Sequence, residues 1–229
     1  MHEILSVAIL PVVLILVSFR IGQVLQQKTG SAIFNPIVVG ALLILGFLAL
    51  TGMELSVFQA GAANLSWLMT PATVCLAIPM YEHFQTLRKN LPAIAVGVAA
   101  GAISCLAFLL MAGMALGFDR ELIISLLPKS VTTAIAVPLS QLSGGIASIT
   151  TAAIVLTGIS ANILGSFFCK LFRLTDPVAQ GVGFGTAGHV IGTARANELS
   201  PLTGAVSSLS LVVAGLLTAV VMPILIRFL

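Results

Sequence analysis

Long stretches without a charged residue are the feature that most limits how this chain can fold. A membrane-spanning helix needs about 20 mainly apolar residues, so five of these runs are long enough and the first is just adequate. They do not alternate between polar and apolar residues, which favours a helical bundle over a β-barrel. The runs are Ile4 to Phe19, Thr29 to Met53, Leu55 to Tyr81, Asn90 to Phe118, Ser130 to Cys169 and Leu199 to Ile226.

The composition excludes several other classes of protein. Apolar residues make up 59% of the 229 residues and charged residues 7%, whereas soluble domains carry about 25% charged residues. A disordered chain would be poor in apolar residues, and three cysteines do not suit a secreted disulfide scaffold. The net charge of +3 is spread over short loops, so no nucleic-acid partner is expected. Lipid is the expected solvent for most of the protein.

Lysine and arginine positions predict the orientation of the helices. No basic segment precedes the first run and no small-x-small cleavage site precedes Arg20, so we interpret this run as a retained helix. Loops containing Arg20 with Lys28, and Arg88 with Lys89, are predicted to be cytoplasmic, which places Met1 outside. Further helices are predicted at about Ile33 to Leu50, Leu65 to Tyr81, Leu91 to Leu116, Ile146 to Cys169 and Thr203 to Ile226.

Two segments do not fit simple alternation. Lys170 and Arg173 place the end of the fifth helix in the cytoplasm, so residues 121–145 start and finish outside and are predicted to be re-entrant. Pro128 and Pro138 are expected to break this segment, and residues 177–200 are expected to mirror it from the cytoplasm. The prediction is an all-α membrane bundle of about six full spans plus two re-entrant or broken segments, typical of an inverted-repeat transporter. The alternative is eight full spans, which would place Lys170 and Arg173 outside.

The first candidate binding segment surrounds Lys129. A charge at the centre of a bilayer costs about 3 kcal/mol, so such a residue is normally paired or faces water. Ser130, Thr132 and Thr133 add hydroxyl donors, and a half-helix starting here would favour an anion through its amides. The segment therefore predicts a carboxylate site. The alternative is that Lys129 extends to the membrane interface while the hydroxyls bond to backbone carbonyls.

The second candidate segment is rich in glycine, with five glycines from Gly181 to Gly192. Arg195 has a planar guanidinium suited to a carboxylate, and His189 is suited to carry the proton of a symport. Thr193 adds a hydroxyl. The alternative is that the glycines allow tight helix packing and that Arg195 pairs with Glu198 three residues later.

Nothing in the sequence indicates an enzyme. The three cysteines lie apart in apolar runs, the three histidines lack the spacing of metal ligands, and no acid–base pair accompanies a nucleophile. We therefore expect no catalytic residue, no metal and no cofactor.

Three segments resemble the signatures of the LrgB/CidB family: Leu127 to Ala136, Gly144 to Ile146 and Gly185 to Ala196. The resemblance covers essentially the whole chain and implies a single LrgB-like integral membrane domain over residues 1–229. One departure is visible, because the family pattern has a serine before the histidine where this chain has Gly188.

The resemblance implies a multi-pass inner-membrane protein that is usually encoded beside a smaller LrgA/CidA-type membrane protein, its candidate partner. Members of this family were described as holin/antiholin-like modulators of murein hydrolase activity and autolysis. Plastid relatives resemble glycolate/glycerate translocators, and bacterial members are linked to pyruvate movement. The expectation that the substrate is a small monocarboxylate is therefore implied by the resemblance.

We therefore expect an alternating-access carrier of small monocarboxylates such as pyruvate, glycolate or glycerate, forming homo-oligomers in lipid. Lys129 and Arg195 would neutralise the carboxylate, because a buried anion needs such partners. The alternative is a holin/antiholin-like protein that modulates autolysis and needs no substrate site. The predicted substrate-binding residues are Lys129, Ser130, Thr132, Thr133, His189, Thr193 and Arg195.

Overall fold

The computed structural model describes residues 2–30 and 34–229, and within these ranges the chain is helical and contains no β-strand. This confirms the all-α prediction. Four helices are long and apolar enough to cross a membrane, namely Ile9–Thr29, Phe84–Ala115, Ala147–Leu171 and Pro201–Phe228, and shorter apolar helices accompany them. The total number of spans stays a prediction. The chain divides into two compact units, Met1–Cys75 and Leu76–Leu229.

The first unit contains four helices. Asn35 starts the second of them, since its side-chain oxygen accepts a hydrogen bond from the Ile37 amide at 2.8 Å. The first two helices pack closely, because a Cβ on Gly22 would lie 2.6 Å from Pro36 Cα. Met1 and the predicted helix start at Ile33 lie outside the described residues. The helices are α1 (His2–Thr29), α2 (Pro36–Thr51), α3 (Leu55–Ser66) and α4 (Met69–Cys75).

The predicted helix from Leu65 to Tyr81 is wrong. Three short helices occupy this region, α3 and α4 followed by α5 (Ala77–Glu82). Pro71 lies in the first turn of α4, where its missing amide hydrogen is tolerated, but it could not continue the hydrogen bonding of α3. At 1.5 Å per residue, the 12 residues of α3 span about 18 Å.

The predicted basic loops are also corrected. Arg20 and Lys28 lie inside α1, and Arg88 and Lys89 lie inside the helix that follows α5. The apolar runs underestimate these helices because a helix can continue past a membrane boundary into charged residues. The basic side chains therefore lie within helices, not in loops.

The second unit contains α5 and six further helices. Its core has two large apolar clusters, one joining Leu110, Ile124 and Met222 and the other joining Val98 with Val206. The helices are α6 (Phe84–Ala115), α7 (Arg120–Leu126), α8 (Thr133–Leu142), α9 (Ala147–Leu171), α10 (Pro177–Leu199) and α11 (Pro201–Leu225).

Helices α7 and α8 form a hairpin, here called the α7–α8 hairpin, with its tip at residues 127–132. Ser125 near the end of α7 and Ser140 in α8 meet at one residue of α9. The Thr150 hydroxyl lies 2.9 Å from the Ser125 carbonyl oxygen and 2.7 Å from the Ser140 hydroxyl. The segment is broken as predicted, but Pro138 lies inside α8 and does not break it. The interruption is at Pro128 and the five residues around it.

Helix α10 also doubles back, and we call it the α10 hairpin, with a first arm (residues 177–188) and a second arm (residues 190–199). His189 at its tip has φ 42° and ψ −138°, far from helical values. A Cβ on Gly185 would lie 2.3 Å from the Ser207 carbonyl oxygen, while Thr193 is hydrogen-bonded to the Ser207 side chain at 2.8 Å. In a straight helix Gly185 and Thr193 would be about 12 Å apart along the axis. The chain therefore reverses direction at His189.

The two hairpins enter this unit from opposite ends. The α7–α8 hairpin begins beside the ends of α6 and α11, where the Arg120 guanidinium lies 3.5 Å from the Ile226 carbonyl oxygen. The α10 hairpin begins near the start of α6, where Val178 packs against the cluster that contains Leu87. Their tips approach each other inside the bundle.

Candidate functional site

The two hairpin tips meet at Ile154 of α9. The buried His189 imidazole bonds through Nε2 to the Ile154 carbonyl oxygen at 2.9 Å, and Val131 of the other tip packs against the same residue. Since a carbonyl oxygen can only accept, His189 Nε2 carries a proton in this arrangement. Ser130 and Thr186 line one small cavity of about 10 Å³ between the tips, close to the space that one water molecule needs.

The backbone at His189 adopts a conformation that residues with a Cβ rarely take. Such backbone strain costs on the order of 1–3 kcal/mol and persists where surrounding contacts enforce it. Here the Thr193 hydroxyl donates to the His189 carbonyl oxygen at 2.8 Å. Gly158 leaves room for the ring, because a Cβ there would lie 2.6 Å from His189 Cε1. The predicted residues His189 and Thr193 are therefore brought together, in a role that shapes the tip.

Lys129 lies on the tip of the α7–α8 hairpin and is half-buried. Its ammonium donates to the Ser130 hydroxyl at 3.3 Å, and that hydroxyl lies 3.5 Å from Cys105 Sγ. Cys105 precedes Ala115, the last residue of α6, by ten residues, which is about 15 Å of helix. Lys129 is thus well inside the apolar length of the bundle.

Among the described residues, no acidic side chain pairs with Lys129. In residues 2–30 and 34–229, Arg195 with Glu198 forms the sole ion pair within 4.0 Å. Within the same described ranges, no cluster of His, Cys, Asp or Glu could hold a metal ion. The Lys129 ammonium is therefore an uncompensated positive charge next to the junction of the tips.

A groove of about 510 Å³ runs between α9 and the first arm of the α10 hairpin, and Lys129 is the one charged residue in its described lining; we call it the Lys129 groove. Val131 and Ile154 share one apolar cluster, and Ile154 lies one turn before Thr157, which places Lys129 near the Thr157 end of the groove. Its polar lining comprises Lys129, Thr157, Ser160 and Gln180, and its large apolar lining comprises Leu156, Leu164, Phe168, Leu174 and Phe184.

Thr157 and Ser160 were missed by the sequence reasoning. They lie three residues apart on α9, and so on one face of the helix, and both line the groove with Lys129. Neither side chain makes a hydrogen bond within the part of the chain that the structure describes. Hydroxyls spaced at i and i+3 in an otherwise apolar run were the signal that could have identified them.

Arg195 does not line the Lys129 groove. Its guanidinium pairs with Glu198 and donates from Nε to the Ser166 hydroxyl at 3.1 Å. This is the structural pairing that the alternative interpretation of Arg195 described. Lys129 and Arg195 are therefore not assembled into one carboxylate clamp.

The remaining predicted hydroxyls have different surroundings. Thr132 precedes α8 and is half-buried, without a capping hydrogen bond from its side chain, and Thr133 is exposed at the first position of the helix. Neither residue lines the Lys129 groove. Of the predicted hydroxyl residues in this segment, Ser130 alone contacts the Lys129 ammonium.

Close packing explains why this region is rich in glycine. Four of the five glycines in the α10 hairpin are buried, and a Cβ on Gly192 would lie 2.7 Å from the Phe184 carbonyl oxygen. A Cβ on Gly188 would lie 2.5 Å from Ala161 Cβ. The position where the family pattern has serine is therefore closed to any side chain in this structure.

Comparison with known proteins gives one family. A model described as the LrgB-like family matches residues 15–228 of the chain. No solved structure matches it. The match includes both hairpins, the last three of the four helices that are long enough to cross a membrane, and the first of those helices from residue 15 onward.

Proposed function

The chain belongs to the LrgB-like family, and from this premise we propose that it is a secondary carrier of small monocarboxylates that binds the carboxylate at Lys129. Family membership and the apolar helices make it a multi-pass membrane protein, consistent with the holin/antiholin-like group. Pyruvate, glycolate and glycerate are the proposed substrates. The proposed mechanism is alternating access.

The uncompensated charge of Lys129 carries this proposal. An ammonium inside an apolar bundle is costly unless it has a partner or reaches water, and the described acidic residues provide no ion pair for it. A carboxylate in the Lys129 groove would supply that partner. Thr157 and Ser160 line the same groove and offer two free hydroxyls to the remaining oxygens of the acid.

The opposed hairpins support a carrier rather than a static pore. Hairpins that enter from opposite ends and meet at a central site are typical of transporters with inverted repeats. We propose that both re-enter the membrane and that contacts at Ile154, including the His189 hydrogen bond, close the path between the two sides. Breaking those contacts would open the site to the opposite side.

We further propose that the protein acts in the inner membrane as a homo-oligomer, with an LrgA/CidA-type small membrane protein as its candidate partner. Arg195 is left out of the proposed binding site because Glu198 already neutralises it. His189, Thr193 and Ser130 are proposed to position the tips, and Thr132 and Thr133 to start α8.

Uptake of labelled pyruvate and glycolate into proteoliposomes tests this function. Lys129→Met keeps an unbranched side chain only one atom shorter and removes its charge, so uptake is expected to fall at least about tenfold, the effect of losing one or more hydrogen bonds to a charged group. Lys170→Met is the matched control, since Lys170 is exposed in the last turn of α9 and does not line the groove.

The holin/antiholin-like alternative predicts different results. It requires permeability that does not saturate with carboxylate concentration and that admits larger solutes. Saturable uptake that is lost in Lys129→Met and retained in Lys170→Met would support the carrier. Equal uptake by the wild type and Lys129→Met would contradict it.

A further inference from the structure

We infer that the Lys129 groove selects 2-oxo and 2-hydroxy monocarboxylates with an apolar tail of several carbons over the three-carbon acids. The inference rests on the proposed carrier function and names its preferred substrate class. It combines the size of the groove, the chemistry along its length and one open position in its wall.

The groove is too large for a three-carbon acid alone. Pyruvate has six non-hydrogen atoms, which fill roughly 180 Å³ at the ~30 Å³ that one water molecule occupies in the liquid. The groove is open along one side and has a volume of about 510 Å³. A three-carbon acid bound at Lys129 would therefore leave well over half of this volume without a ligand atom.

The polar and apolar parts of the groove are separated along its length. Lys129, Thr157 and Ser160 lie at one end and can bind a carboxylate together with its 2-oxo or 2-hydroxy oxygen. Further along α9 the lining changes to Leu164 and Phe168, which lie at the helical spacing that continues the same face. An anionic head with an apolar tail matches this order.

The opposite wall continues the apolar part. Phe184 is buried on the first arm of the α10 hairpin, and Leu174 lies in the loop that leads to it. Gln180 is polar, but its amide donates to the Leu174 carbonyl oxygen at 2.6 Å and is thereby engaged. Among the residues that the structure describes, no second cation lines the groove, so a dicarboxylate would bring one negative charge without a partner.

Gly183 gives a direct way to fill the apolar part. It lines the groove, and a Cβ added there meets no atom within 4 Å. Gly183→Leu therefore starts its side chain at an open position in the groove wall, where the Cβ displaces no neighbour. Ala194→Leu is the matched control, because Ala194 is exposed on the second arm and does not line the groove.

The experiment compares pyruvate, 2-oxobutanoate and 2-oxohexanoate as inhibitors of labelled pyruvate uptake by the full chain in proteoliposomes. The same acids are tested for the rise in thermal unfolding midpoint that binding causes in detergent. Half-inhibitory concentrations are expected to fall up to about fourfold for each added methylene, the effect of moving one CH₂ from water to an apolar surface. Gly183→Leu is expected to bring the ratio between the six-carbon and three-carbon acids close to one, and Ala194→Leu to preserve it.

Each outcome separates this inference from the carrier function. Lys129-dependent pyruvate uptake with a flat or inverted chain-length series would overturn the inference and leave the carrier intact. An equally steep series in Gly183→Leu would assign the trend to partitioning into lipid and would also overturn it. Uptake that Lys129→Met does not change, or no uptake and no thermal shift with any acid, would remove the carrier function and this inference with it.

Discussion

Replacing Gly192 by alanine tests the reversal of the chain at His189. In an uninterrupted helix, Gly192 and Phe184 would be about 12 Å apart along the axis, and the change would stabilise the helix by roughly 0.5–1 kcal/mol. In the α10 hairpin, the added Cβ would lie 2.7 Å from the Phe184 carbonyl oxygen. A backbone oxygen cannot rotate away as a side chain can, so the two arms must separate.

Overpacking of this kind costs about 1–3 kcal/mol. For a chain of this size that corresponds to a fall of roughly 2–12 °C in the unfolding midpoint, at about 2–4 °C per kcal/mol. The assay is the fraction of protein that remains monodisperse in detergent after heating. Gly183→Ala is the control, because it lies in the same first arm and its Cβ meets no atom within 4 Å. Gly183→Ala is expected to raise the midpoint slightly.

The result that would refute the reasoning is an equal rise in the midpoint for both variants. Such a rise would mean that Gly192 lies in a straight helix whose stability depends on helix propensity alone. A lower unfolding midpoint for Gly192→Ala, without a lower midpoint for Gly183→Ala, would support the close contact between Gly192 and Phe184 on the two arms.

Two further predictions concern hydrogen bonding and charge. Thr150→Val removes the buried hydroxyl that joins α7, α8 and α9 and is expected to cost about 1–3 kcal/mol in the free energy of unfolding. Thr151→Val is the control, since Thr151 is exposed on α9 and its loss should cost under about 1 kcal/mol. Equal unfolding midpoints for the two variants would contradict the hairpin junction. Arg195→Gln removes a partly exposed ion pair with Glu198 and is expected to cost at most about 1 kcal/mol in the free energy of unfolding. It should leave pyruvate uptake within about twofold of wild type. A loss of uptake as large as that of Lys129→Met would return Arg195 to the binding site.

The long helices could be predicted from the sequence because their main determinant is local. Runs without charge predicted the positions of α2, α9 and α11 to within a few residues. They also predicted the end of α6, but this helix begins at Phe84, seven residues before its predicted start. Helix ends were less predictable, since Arg20 and Lys28 extend α1 beyond its apolar run. Hydropathy describes the membrane, and it does not describe how far a helix continues outside it.

The breaks depend on tertiary contacts and were only partly predictable. Pro128 correctly indicated an interruption, but Pro138 is accommodated inside α8. The reversal at His189 could not be located from the glycines alone, because it needs Gly158 on another helix to make room for the imidazole. The break within the predicted third helix had a local signal in Pro71 that hydropathy outweighed.

The candidate site shows the same division between local and distant determinants. Lys129 stood out in the sequence because an isolated charge in an apolar region needs a reason. Thr157 and Ser160 become candidate binding residues only in the folded structure, because the first arm of the α10 hairpin forms the other wall of the groove that they line. Arg195 was equally conspicuous in the sequence, but its partner Glu198 was three residues away and sufficient.

The contact between Gly188 and Ala161 links two positions that are 27 residues apart in the chain. A serine at 188 has no space while residue 161 keeps its methyl group, so relatives that have the serine should have glycine at 161 or a wider separation of the two helices. The residues at positions 161 and 188 should therefore covary among relatives. In this chain the double change Gly188→Ser with Ala161→Gly should be tolerated better than Gly188→Ser alone.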